Sequence, residues 1–232
     1  MASLSSLHIL LKLNPRDMYK LFKERELYSY VRIRRPLALR LDGVRFGRVL
    51  ADLAPRSREV HEALLRAAKE ILRELGCECA YVASDEINVI CIQEPFYASR
   101  HEKLISVSSG LASALVSLAL GRTLFFDSRA IVLRREEEIT KYILYRARVC
   151  FNNYVSTIYH SVFRDRSTPS LLEMLQKLKE RNIDPTMDRW RAFGSTVCKV
   201  RVPRGDSYGV EYVVEDGFEA AIRCVTRWLV DG

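Results

Sequence analysis

Residues 77–92, CECAYVASDEINVICI, are two apolar runs broken only at Ser84-Asp85. Two strand-length runs separated by so short a polar break predict an antiparallel hairpin. Asp is depleted in strands, yet Asp85 and Glu86 stand where the returning strand begins.

The surrounding chain supplies the rest of a pattern. PLALRLDG (36–43) reads as a strand with Leu37, Leu39 and Leu41 on one face, and Ala38, Arg40 and Asp42 on the other; Gly43 ends it. SREVHEALLRAAKEILREL (57–75) is an amphipathic helix closed by Gly76, residues 100–121 form a second helix rich in small residues, and LFFDSRAIVL (124–133) reads as a fourth strand. The order strand, helix, strand, strand, helix, strand predicts an α+β chain of the split βαβ, or ferredoxin-like (βαββαβ), kind. A short helix is expected at 15–31, a long charged one at 135–160 and another at 169–181. STVCKVRVPRGDSYGVEYVV is expected to be β-rich, with RGDS as a hairpin turn. Residues 1–134 read as one domain, with 135–232 as a helical and β-rich region packed on it.

No apolar run reaches the roughly 18–20 residues that a bilayer span needs. LASALVSLAL is about half that length and reads as a buried helix, so no membrane partner is expected. The N-terminus lacks the features of a secretory signal, which predicts a cytoplasmic protein. The six cysteines (77, 79, 91, 150, 198, 224) make no C-x-x-C pair and read as buried free thiols, Cys77 and Cys79 on one face of a strand. The four histidines lie away from the acidic residues in sequence, so no Ser-His or histidine-metal site is expected. A net charge of +8 favours a polyanionic partner.

In a βαββαβ order the first crossover is right-handed, and the third strand returns between the first and second. Asp42, ending the first strand, then lies beside Asp85-Glu86, starting the third. Two carboxylates about 4 Å apart repel by about 4 kcal/mol at an effective dielectric near 20, about three pKa units. Such a pair shares a proton or holds a cation, and magnesium suits it because that ion takes one or two carboxylates plus substrate phosphates. The plainer alternative is a solvated acidic turn beside an unrelated Asp. Parity along the strand sets Glu86 with Asn88 on one face and favours Glu86 as the partner of Asp42; Asp85 lies in the turn, where parity fails.

Five segments resemble the motifs of one family. RLDGVRF (40–46), SDE (84–86), RHEKLISVSSGLAS (100–113), FDSR (126–129) and YILYRARVCFNN (142–153) are similar, in order, to those of the tRNA(His) guanylyltransferase family. The resemblance implies a polymerase-like palm that activates a tRNA 5′-monophosphate with ATP. A nucleoside triphosphate such as GTP is then added in the 3′–5′ direction. Carried over, Asp42 and Asp85 would be the catalytic ligands of two Mg2+ ions, with the Gly43 carbonyl, and Glu86 the second choice. Ser84, Lys103, Arg40, Asn152 and Asn153 would bind nucleotide. Arg134, Arg135, Arg146 and Arg148 read as a basic flank for tRNA. A homo-oligomer is implied, a tetramer in many family members.

Val44 stands where the family carries its second motif Arg, and Arg45 follows it; Arg56 and Arg58 are candidates for a further triphosphate contact. CFNN replaces the H-I-N-N-L-Y-N of eukaryotic-type enzymes, a departure typical of the guanylyltransferase-like branch, which repairs 5′-truncated tRNAs on a template. Addition of the extra guanine to tRNA(His) is the second reading. A nucleotide cyclase would share the palm but lacks its G-G-D-E-F hairpin here, and a catalytically silent RNA-binding relative would share the fold alone.

Overall fold

The computed structural model describes residues 8, 10–53, 56–164, 167–205 and 207–231. They divide into two compact units, one ending at Val31 and the other beginning at Arg32. The first contains helix α1 (Pro15–Lys23), started by Asn14, whose side chain accepts from the Arg16 amide at 3.0 Å, and by Pro15 in its first turn. The helix stops at Lys23 rather than 31, and Tyr28 carries a left-handed φ of 63°, which helical backbone excludes.

The second unit runs β1 (Leu37–Gly43), α2 (Phe46–Val49), α3 (Arg58–Leu75), β2 (Cys79–Ala83), β3 (Glu86–Cys91), α4 (His101–Leu120) and β4 (Phe126–Val132). It continues with α5 (Glu136–Phe163), α6 (Leu171–Glu180), α7 (Arg189–Phe193), β5 (Ser195–Arg204), β6 (Ser207–Asp216) and α8 (Phe218–Asp231). Among the described residues these strands form a six-stranded sheet in the order β4-β1-β3-β2-β5-β6. β3 is antiparallel to both β1 and β2, so those two run parallel with β3 between them, the directions the sequence pattern requires. β5 pairs with β2 from Cys79↔Cys198 to Val82↔Ser195, so the C-terminal hairpin prolongs this same sheet. Of the RGDS turn, Gly205 takes a φ of 59°, while Asp206 lies outside the described residues.

Alternation along the strands separates two cores. Leu37, Leu39, Leu41, Val82, Ile87 and Val89 face α3 and α4, where Leu64, Ile71, Leu72, Leu104 and Val116 close over them. Ala38, Tyr81 and Ile90 face the other way, towards Ile139, Ile143 and Cys150 of α5 and Ala221, Val225 and Trp228 of α8. Complete burial of each Leu or Ile stabilises by about 1.5–3 kcal/mol, which makes both helical layers obligatory.

Two expectations are corrected here. Cys77–Cys91 and Cys198–Cys224 are disulfides, and only Cys79 and Cys150 are buried free thiols. Cys77 precedes β2, so strand parity does not govern it, and it belongs to the α3–α4 core whereas Cys79 belongs to the other. Helix α4 is long and apolar enough to cross a membrane by length and composition, which the run LASALVSLAL alone concealed. It is also less buried than expected: Leu104, Ser108, Ala112 and Val116, at helical spacing, make up its buried stripe.

Candidate active site

The site grows from the end of β1. Gly43 donates its N–H to the Asp85 carbonyl at 3.2 Å, and Val44 to the Phe125 carbonyl at 2.8 Å, so the β2–β3 turn and the start of β4 flank this end. A Cβ at position 43 would come within 2.5 Å of the Phe46 ring. Glycine there lets Phe46 fold back against Phe126, ring centres 5.0 Å apart. Ser84 takes a φ of 59° in the two-residue turn.

Cross-strand register then sets three acids in one row. Asp42 pairs with Glu86 on β3 and with Asp127 on β4. Directly opposed residues share a face with Cβ atoms about 4.5–5.5 Å apart, and like charges so placed destabilise a sheet. The next row inward holds Arg40, opposite Arg129 and Asn88. Each acid has an arginine: Arg40 lies 3.7 Å from Asp42, Arg129 lies 3.2 Å from Asp127, and Arg146 reaches Glu86 from α5.

The last pair differs from the others. Arg146 is 4% exposed, and its Nε donates to one Glu86 oxygen at 3.0 Å while an Nη donates to the other, a bidentate buried pair. Four residues earlier on the helix, Tyr142 donates to the Asn88 side chain at 2.7 Å. Arg146 is therefore turned inward and not part of an exposed basic flank. Its signal was present in the sequence: it falls on the stripe Ile139, Ile143, Arg146, Cys150, the apolar face of α5.

Asp42 is left with the least compensation. Partial burial raises its pKa above the usual carboxylate range, and the charges of Asp85, Glu86 and Asp127 add to this against the opposing pull of Arg40. Two buried atoms beside it, Arg40 Nε and Asp127 Oδ1, have no hydrogen-bond partner. Parity was right about Glu86, which faces Asp42 directly, but Arg146 already occupies both of its oxygens. Asp85, reaching Asp42 from the turn, is the acid left over.

A cavity of about 450 Å3 opens beside these residues, lined by Ser84 and Asp85 and by Asn153, Phe46, Arg56 and Trp190, among others. The C-terminal segment completes it. Gly194, with a φ of 69°, passes so close to β2 that a Cβ would meet the Val82 carbonyl at 2.4 Å. This passage sets Trp190 on one side of the glycine and Ser195 on the other.

His61 of α3 stacks on Trp190, ring centres 4.7 Å apart, and its Nε2 lies 2.8 Å from Ser195 Oγ, which lies 2.7 Å from Asp216. A Ser-His-Asp chain thus exists where none was expected, because sequence distance hid a contact spanning 134 residues. Its order is wrong for a hydrolase: the carboxylate touches the serine rather than the imidazole, and Ser195 is fully buried.

The structure gathers Arg40, Asp42, Gly43, Ser84, Asp85, Glu86 and Arg146 at one end of the sheet, with Asn153 and Arg56 around the cavity. Arg58, at the start of α3, pairs with Glu62 at 2.9 Å and lies over Trp190 at 5.3 Å. Asn152 is half-buried on α5, and Arg148 is exposed there. Lys103 is not brought to the acids. Helix α4 lies on the opposite face of the sheet from Asp42, and Lys103 precedes by ten residues, about 15 Å of helix, the Ser113 whose hydroxyl accepts from Phe126. Arg134 and Arg135 are exposed just before α5, near the Pro36 end of β1.

What can this arrangement do? Asp42, Asp85 and the Gly43 carbonyl are hard oxygen donors, and the raised Asp42 would be relieved by a divalent cation. Among the described residues no group of three or more His, Cys, Asp or Glu side chains is arranged to hold a metal. A magnesium ion there would complete its shell with water and phosphate oxygens, its usual habit. Sheet-end acids beside a largely apolar cavity are suited to phosphoryl or nucleotidyl transfer. The family model described as Thg1, tRNAHis guanylyltransferase, matches residues 19–151, more than half of the chain, and the chain belongs to that family of nucleotidyltransferases.

Solved structures share the fold. A bacterial tRNA(His) guanylyltransferase (Thg1)-like protein in complex with ATP aligns with a TM-score of 0.72 at 20% identity, covering 92% of this chain and 98% of that one. Its counterpart in complex with GTP gives 0.73 at 21%, covering 90% and 94%. The tRNA(His) guanylyltransferase from Saccharomyces cerevisiae gives 0.64 at 14%, covering 83% and 95%. No curated protein matches the chain.

Proposed function

We propose that the protein is a magnesium-dependent 3′–5′ nucleotidyltransferase that repairs 5′-truncated tRNA on a template, after activating the 5′-monophosphate with ATP. The observation that carries this reading is Asp42, its pKa raised by partial burial and by the charges of Asp85, Glu86 and Asp127, with Asp85 itself on the wall of the cavity. The cavity is large enough for a nucleoside, and its wall carries Ser84 and Asn153. Asp42, Asp85 and the Gly43 carbonyl would hold two magnesium ions. Those ions supply charge neutralisation on the phosphates and a more acidic attacking hydroxyl. The chain's own part is positioning: the row of acids is fixed by β-sheet register, and Arg146 keeps Glu86 from competing for the ions. Arg40, beside Asp42, has an unsatisfied Nε suited to a phosphate oxygen. Exposed Arg148, Arg134 and Arg135 supply positive charge for the RNA backbone, and a cytoplasmic location is part of this reading.

CFNN at 150–153 favours repair over guanine addition to tRNA(His). The test supplies 5′-monophosphorylated tRNA lacking its first nucleotide, with ATP, all four nucleoside triphosphates and Mg2+. Growth at the 5′ end dictated by the opposing strand is expected. Guanine addition restricted to tRNA(His) would favour the second reading, and RNA binding without turnover would leave only a silent relative.

A further inference from the structure

The hydrogen-bond chain beside the cavity fixes which face of a histidine a ligand would meet. A serine hydroxyl has one proton, and a carboxylate only accepts. Ser195 therefore donates to Asp216 and accepts from His61, so the His61 proton sits on Nε2 and the lone pair on Nδ1. Nδ1 has no protein partner among the described residues, yet it is not sealed off, since His61 helps to line the cavity. Burial and the nearby Arg58 charge hold the imidazole neutral down to about pH 4. Leu50, Leu53, Val60 and the Trp190 ring line the cavity with it, as do polar Arg56, Ser57 and Tyr154. An acceptor presented beside the flat Trp190 ring and apolar side chains favours a flat ligand that brings a hydrogen-bond donor to it.

Resting on the nucleotide reading above, we propose that His61 is a specificity-determining residue that selects adenine by accepting from its 6-amino group, with Ser195 and Asp216 as positioning residues that hold the Nε2–H tautomer. A base with a carbonyl at position 6, as in guanine or hypoxanthine, would set acceptor against acceptor in the same pose. Such mismatches are rejected because a buried polar group is left unpaired.

The experiment measures equilibrium binding of ATP, inosine triphosphate and purine riboside triphosphate, which carry an amino group, a carbonyl and a hydrogen at position 6. Wild type is expected to bind ATP about fivefold to tenfold more tightly than purine riboside triphosphate, the worth of one neutral hydrogen bond, and inosine triphosphate more weakly still. His61→Phe keeps the ring on Trp190 but removes the acceptor, and is expected to bind ATP no better than purine riboside triphosphate. Ser195→Ala is expected to narrow the gap between ATP and inosine triphosphate, leave purine riboside triphosphate binding unchanged, and move the His61 nitrogen-15 shifts away from the Nε2–H pattern. A merely structural role would weaken all three ligands alike. Inosine triphosphate binding as tightly as ATP in wild type would overturn the inference, as would full discrimination surviving in either variant. Saturable but indiscriminate binding overturns the adenine assignment alone. Absence of binding by every nucleotide overturns the nucleotide reading and this inference with it.

Discussion

On its α3–α4 face the central sheet presents Leu37, Leu39 and Leu41 beside Val89 and Ile87, all fully buried in an apolar core. On its α5 face the same strands carry the row Asp127–Asp42–Glu86, then Arg40 between Arg129 and Asn88, before the apolar residues resume at Ala38 and Ile90. One face accumulates stability from burial. The other gives some up, because opposed acids repel and buried charges lose water. The difference teaches where function was built: where the register that makes a good core on one side holds charge together on the other.

The strongest way to break this contrast is at Arg146. Arg146→Ala leaves Glu86 buried without its partner and is expected to cost about 3–5 kcal/mol, read as a fall in denaturant midpoint. Adding Glu86→Gln to that variant should recover a large part, since the uncompensated charge is then gone. On the apolar face, Leu39→Ala is expected to cost about 2–5 kcal/mol in the same measurement while leaving turnover per folded molecule unchanged.

A third effect concerns His61, whose pKa is held down at about 4 against 6.5 for an unhindered imidazole. The unfolded chain binds the proton first, so stability from this residue is present above pH 6.5 and lost as pH falls towards 4. The loss is expected to reach up to about 3 kcal/mol, and denaturation midpoints of His61→Phe should lack it. The smallest effect is at Asp42. Its raised pKa means that the charged form opposes folding at neutral pH, so Asp42→Asn should raise the Tm of the metal-free protein. A gain of about 1 kcal/mol would appear as roughly 2–4 °C. A Tm that fell would show the acid row to be a stabilising network instead.

Much of the frame was legible because its signals were local. Period-3.6 apolar residues stopped by Gly76 and Gly121 gave α3 and α4 nearly to the residue, and alternation before Gly43 gave β1 with the correct face for Asp42. The Ser84-Asp85 break gave the hairpin. Contacts without a local signature escaped. The Glu86–Arg146 pair, the His61–Ser195 bond and the Cys198–Cys224 disulfide join residues whose meeting depends on how helices and the C-terminal hairpin dock, whereas Cys77–Cys91 closes the β2–β3 hairpin itself. Lys103 rests on the family resemblance alone, for a helical pattern tells which residues share a face but not which end of the helix approaches a distant strand. Helix α8 went unread, though Ala221, Cys224, Val225 and Trp228 repeat at helical spacing.

The central claim is that Asp42 and Asp85 act together on a divalent ion where phosphate is transferred. The direct measurement is Mg2+-dependent transfer from ATP to the 5′-monophosphate of truncated tRNA by wild type, Asp42→Asn and Asp85→Asn, with folding of each checked by its Tm. The expected result is a loss of at least about a hundredfold in each single variant and little further loss in the double, as for residues that act as one unit. Wild-type rates in a folded Asp42→Asn protein would contradict the claim.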